Sequence, residues 1–146
     1  MPDETNVIGK TYEPFEYEVG REKIREYANA VGETNPIHLD PEAARAAGHP
    51  GLVAPPMFVV VYSAPAMLPA MFDPEVGMNF ARMVHGGQEF VWSGLVHAGD
   101  TITTTASVKD ISEREAMTFY VFESTSVAAD GRELVRGTWT NIVRGG

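Results

Sequence analysis

The chain has 146 residues, 44% hydrophobic and 21% charged, which suits one soluble globular domain over residues 1–146 with length enough for a real core. Its 20 acidic residues against 11 basic ones leave a net charge of −9, so no basic face for nucleic acid or an anionic membrane can be assembled. The absence of cysteine excludes disulfides, thiol catalysis and thiolate metal sites, and the polar opening MPDETNVIGK is no signal peptide, so a cytoplasmic location is expected.

In chain order, FEYEV (15–19) alternates apolar and acidic residues, the pattern of a short strand with one wet face. GREKIREYANAVG (20–32) places Ile24, Tyr27, Ala28 and Val31 at helical spacing, with Gly32 as the stop. A loop follows, then DPEAARAAG (40–48), a short helix with Asp40 as N-cap, Pro41 at its first position and Gly48 at its end. The uncharged run 52–72 is long enough to cross a bilayer, but it holds Pro55, Pro56, Pro65 and Pro69 and lacks flanking basic residues. It is expected to be a buried helix from about Met57 to Phe72, bent near Pro65. From about residue 79 the texture changes to β-branched and aromatic, giving four strands within 78–94, 100–112, 116–129 and 133–145, with ADGRE (129–133) as a hairpin turn. Pattern alone therefore gives an α+β chain with an antiparallel sheet covered by one long apolar helix.

The stretch VGETNPIHLDP (31–41) gathers Glu33, Asn35, His38 and Asp40 within eight positions. As turn chemistry this is unexceptional, since Asn-Pro initiates turns and Asp40 caps the next helix. A buildable proton-transfer site is the other possibility, because a histidine titrating near neutrality beside a carboxylate can share a water. Among the other histidines, His49 in GHPG is expected to be structural or exposed and His97 near a turn exposed. His85 before Gly86-Gly87 is a minor candidate, on a strand facing the core or a substrate tunnel. Gly99-Asp100 reads as a strand-entry turn in which Asp100 bonds backbone N–H groups. No metal-ligand spacing, glycine-rich phosphate loop or serine-hydrolase elbow is present, so neither metal nor cofactor is expected.

AVGETNPIHLDPEAARAAG resembles the MaoC-like family, which includes R-specific enoyl-CoA hydratases and (3R)-hydroxyacyl-ACP dehydratases. The match to its hydratase motif is Gly32, Glu33, Asn35, Pro36, Ile37 and His38, and GLVAPPMF, VHGGQEF and VHAGDTI look like the N-terminal-type dehydratases and actinobacterial dehydratase subunits. The resemblance implies a single hot-dog domain, its sheet wrapped around the long helix, and a hydro-lyase of fatty acid metabolism acting on acyl thioesters of CoA or acyl carrier protein. By the same resemblance His38 and Glu33 activate water, Asn35 orients, and backbone near Val53 and Ala54 contributes to the oxyanion hole. It also implies a homodimer, or a heterodimer with a related hot-dog subunit. Two departures stand out. Glu33 occupies the family's Asp position, reaching roughly 1.5 Å further, and APPMF replaces Ala-x-Gly-Met. Some relatives with that proline-rich signature are non-catalytic binding subunits of heteromeric dehydratases, which keeps a binding role open; a thioesterase shares the fold but not the motif.

Overall fold

The computed structural model of the protein describes residues 4–145. Its elements are β1 (Phe15–Glu18), α1 (Arg21–Ala30), α2 (Pro41–Ala46), α3 (Val59–Met71), β2 (Met83–Trp92), β3 (Thr101–Arg114), β4 (Met117–Val127) and β5 (Glu133–Arg144). The strands form one antiparallel sheet in the order β1-β3-β4-β5-β2, and α3 packs against β1, β3 and β4. This is the expected hot-dog arrangement of an antiparallel sheet around a long apolar helix. Among the described residues no helix is long and apolar enough to cross a membrane.

The sheet's inner face follows from period-two patterning. Ile102, Thr104, Ala106 and Val108 of β3 alternate inward, as do Tyr120, Phe122, Ser124 and Ser126 of β4. The buried hydroxyls are satisfied, Thr104 Oγ1 and Ser126 Oγ lying 2.8 Å apart across the two strands. Two core clusters line up along α3. Phe58, Tyr62, Ile102 and Leu134 surround its beginning, while Met67, Ala70, Phe122 and Val143 surround its end. Phe58 is fully buried and takes edge-on rings from Tyr17 and Tyr27, so truncating it to alanine would cost about 3–5 kcal/mol.

Three local expectations need correcting. The run from Met57 to Phe72 is not buried all round, because Met57, Leu68 and Phe72 are exposed on a flank the sheet does not cover. Val31 lies beyond the end of α1 as its C-cap and is exposed, so only Ile24 and Ala28 are fully buried from that stripe. The second strand begins later than its texture suggests, since Phe80–Arg82 form a 3-10 turn before β2 starts at Met83. Pro65 and Pro69 both lie within α3, and Ser63 Oγ donates to the Val59 carbonyl at 2.5 Å one turn earlier.

Candidate active site

Two helix stops shape the site, and both use the same device. In α1, Gly32 sits at φ 74°, its N–H bonding Asn29 C=O while Glu33 N–H reaches back to Ala28 C=O. In α2, Gly48 sits at φ 95°, its N–H bonding Arg45 C=O while His49 N–H reaches back to Ala44 C=O. These are Schellman closures, which need a left-handed residue and therefore favour glycine. Each delivers a titratable residue, Glu33 or His49, immediately after its glycine.

Between the helices, Asn35 Oδ1 accepts from Ile37 N–H at 3.2 Å and caps the one-turn 3-10 helix Pro36–His38. Asp40 Oδ1 accepts from Glu42 N–H at 3.0 Å and caps α2, as its position foretold. Arg25 Nε donates to Leu39 C=O at 3.1 Å and Val53 N–H to Ile37 C=O at 3.0 Å, fastening the loop on both sides.

His38 is buried, and its Nδ1 lies 2.6 Å from Val53 C=O. A carbonyl only accepts, so Nδ1 carries a proton, and Nε2 is the nitrogen free to exchange one. The ring lines a cavity of about 520 Å³ whose walls include His49, Val53, Ala54, Tyr62 and Trp92. Burial pushes the Tyr62 phenol above its ordinary value, so it stays neutral there. Trp92 Nε1 donates to Pro56 C=O at 3.0 Å, tying the end of β2 to the prolines before α3.

Glu33 and Asn35 do not line this cavity. Glu33 Oε1 accepts from Thr34 N–H at 3.0 Å and Asn35 N–H at 3.1 Å. The bond from Asn35 is the main reason its carboxyl titrates below the usual range, with partial desolvation opposing, and the bond from Thr34 and the charge of His38 helping. Glu33 is thus electrostatically coupled to His38 while holding its own turn. Val53 and Ala54 do line the cavity, but Val53 N–H is bonded to Ile37 C=O at 3.0 Å and Ala54 N–H to Val96 C=O at 2.8 Å. Neither amide is free to polarise a carbonyl. His85 lies elsewhere, exposed on β2 beside a smaller cavity of about 250 Å³, its Nδ1 donating to Asn141 Oδ1 at 3.1 Å.

The residues that motif reasoning passed over are His49 and His97. Rather than being exposed, the His97 side chain retains 17% of its accessible surface, and its Nε2 lies 3.4 Å from His49 Nδ1. The physical reason is a short antiparallel bridge that seats His97 beside Val53, with Ala54 N–H bonding Val96 C=O and Ala98 N–H bonding Leu52 C=O. Asp100 Oδ2 accepts the His97 backbone N–H at 2.8 Å, the turn role its position suggested. No sequence signal joins two histidines 48 positions apart.

Residues 6–136 match the family described as FAS1-like, dehydratase domain region. The UPF0336 protein of Saccharopolyspora erythraea is 40% identical over 146 residues, covering 99% of this chain and 94% of that protein. Among solved structures, the C-terminally truncated HadBC (3R-hydroxyacyl-ACP dehydratase) complex of Mycobacterium tuberculosis superposes with a TM-score of 0.83 at 28% identity, over 93% of this chain and 96% of that one. A MaoC-like dehydratase superposes with a TM-score of 0.86 at 26% identity, over 98% of this chain and 44% of that one.

Proposed function

The chain belongs to the family of FAS1-like dehydratase domain regions, and from that premise we propose that it is a (3R)-hydroxyacyl-thioester dehydratase, or in reverse an R-specific enoyl-thioester hydratase, acting on acyl-CoA or acyl carrier protein substrates. One observation carries the proposal. The Val53 carbonyl fixes the His38 tautomer, leaving Nε2 basic at the wall of a largely apolar cavity of about 520 Å³. Such a cavity suits an acyl chain, and such a nitrogen suits a general base. In this function Glu33 supplies the negative charge that steadies His38 as it takes a proton, and Asn35 orients by capping the turn that carries it.

The partner of the proposed enzyme is a second hot-dog subunit, identical or related. The edge strand β2 leaves Val84, Val91 and Trp92 exposed, and the rings of Phe72 and Phe80 meet beside it with centroids 4.6 Å apart at a 38° tilt. An open strand edge bordered by apolar side chains is a pairing surface.

One observation favours a second function, the acyl-binding subunit of a heteromeric dehydratase. Residues 53–56 offer no free N–H, because two amides are engaged and Pro55 and Pro56 have none. The donor that stabilises an enolate oxygen would then come from the partner. The test is hydration of crotonyl-CoA and longer enoyl-CoAs by the isolated chain and by the chain purified with a related hot-dog subunit. Turnover by the isolated chain is the expected outcome. Turnover only with the partner selects the binding subunit, and none in either preparation overturns both.

A further inference from the structure

We infer that His49, oriented by His97 and Asp100, is a second proton-transfer group of the cavity, working with His38. This deepens the dehydratase proposal and rests on it. Removing water from a 3-hydroxyacyl thioester needs a base for the Cα proton and an acid for the departing hydroxyl. Glu33 is poorly placed for the second task, since it does not line the cavity and one of its oxygens holds two loop amides. His49 does line the cavity, on the residue that closes α2.

Behind His49 stand His97, within hydrogen-bond range, and Asp100, which acts on the His97 ring through charge at longer range. His49 Nδ1 is 3.4 Å from His97 Nε2, and His97 Nδ1 is 3.9 Å from Asp100 Oδ2. A carboxylate on the Nδ1 side favours the His97 proton there, which leaves Nε2 to accept from His49 Nδ1–H. His49 Nε2 is then the nitrogen left for substrate. The charged and titratable groups acting on His97 are Asp100, His49 and Arg132. Burial holds the His97 imidazole below its ordinary range, Asp100 opposes this, and His49 and Arg132 reinforce it, so His97 serves as a neutral acceptor near neutral pH. The backbone bridge that seats His97 also carries Val53, whose carbonyl holds His38, so both imidazoles are referenced to one piece of backbone.

The step balances as follows. His38 Nε2 takes the Cα proton, and the electrons of that C–H bond become the new π bond. The Cβ–O bond breaks with its pair on oxygen, which takes the Nε2 proton of a His49 imidazolium and leaves as water, so that His49 ends neutral with its Nδ1–H still directed at His97. Solvent exchange then moves the proton from His38 back to His49. Hydration is the same sequence reversed.

The test uses the full chain, with a related subunit if the wild type needs one, and the pH dependence of kcat/KM for dehydration. His49→Ala should lower kcat by about 10²-fold and remove the high-pH limb, and added imidazole should restore part of the rate. A structural role would not be rescued by imidazole. His97→Gln and Asp100→Asn should displace that limb and, in an NMR titration of the histidine ring protons, move the His49 midpoint. His49→Ala within twofold of wild type, no rescue, or an unmoved His49 titration would each overturn the relay while leaving His38 as the base. A wild type inactive with and without partner overturns the dehydratase proposal and this role with it.

Discussion

At the scale of single residues, the Nδ1–H of His38 is committed to a backbone carbonyl, which makes the ring's basicity at Nε2 depend on a group that mutation of side chains cannot remove. His38→Ala should therefore lower kcat by about 10² or more without unfolding the loop, whose other ties remain. Glu33 acts through charge and through two amide bonds, and substitutions separate these. Glu33→Gln keeps an acceptor oxygen for Thr34 and Asn35 but loses the charge, so it should cost activity while preserving the fold. Glu33→Asp is the sharper change. A shorter carboxylate that preserves or raises the rate would show that the glutamate reaches slightly too far, since displacements near 1 Å can cost about 10²-fold. If Glu33→Gln leaves the rate unchanged while His38→Ala abolishes it, Glu33 is only a turn residue. Steady-state kinetics on the three variants decide this.

At the scale of elements, Asp73 fastens the N-terminal segment to the end of α3. Its Oδ2 takes Lys10 Nζ and the Tyr12 hydroxyl, each at 2.7 Å. The Lys10 bond is the main reason this carboxyl titrates below its usual range, partial burial opposing and Tyr12 adding to it. A depressed folded value means stability that is present above about pH 4, the ordinary carboxylate range, and lost as pH falls through the lower folded value. Asp73→Asn should lower Tm by roughly 2–4 °C at neutral pH, and the two melting curves should converge in acid. Elements whose signals are local were legible in the sequence. Gly32 and Gly48 marked helix ends, Asp40 a helix start, and ADGRE a turn, closed by Ala128 N–H to Arg132 C=O with Gly131 at φ 87°. The turn joining β3 to β4 gave no such signal, because Glu115 and Ala116 hold positive φ without being glycine or asparagine. His38 was legible as a candidate through its motif. The meeting of His49 and His97 was not, because it depends on a bridge between residues 52–54 and 96–98, and no local propensity encodes pairing at that separation. The direction of Glu33 was equally hidden, since unpaired turn amides compete for its carboxylate with any water or imidazole nearby.

At the scale of the whole molecule, β2 sits at the opposite edge of the sheet from β1, although it precedes β3 in the chain. That order leaves Val84, Val91, Trp92 and Leu95 together on an uncovered margin. The chain should sediment as a dimer, or as a heterodimer with a related subunit, at micromolar concentration. A monomer under those conditions would remove the partner from the proposed function. Placing a charge on the same margin, as in Val91→Asp, should shift the equilibrium toward monomer, because an unpaired carboxylate buried at an interface is costly. Sedimentation velocity on the variant checks it.

The bond from Trp92 to the Pro56 carbonyl gives the protein an optical reporter. Trp92 and Trp139 are the two tryptophans of the chain, and they line different cavities, Trp92 the one that holds His38 and Trp139 the one beside His85. In a Trp139→Phe background all indole emission arises at the wall of the His38 cavity. An acyl thioester entering there should change the local polarity around the indole and shift its emission maximum, even in a subunit that turns nothing over. Occupancy could thus be followed in the same cuvette as catalysis, and a dilution series without ligand would separate the spectral effect of subunit association from that of binding.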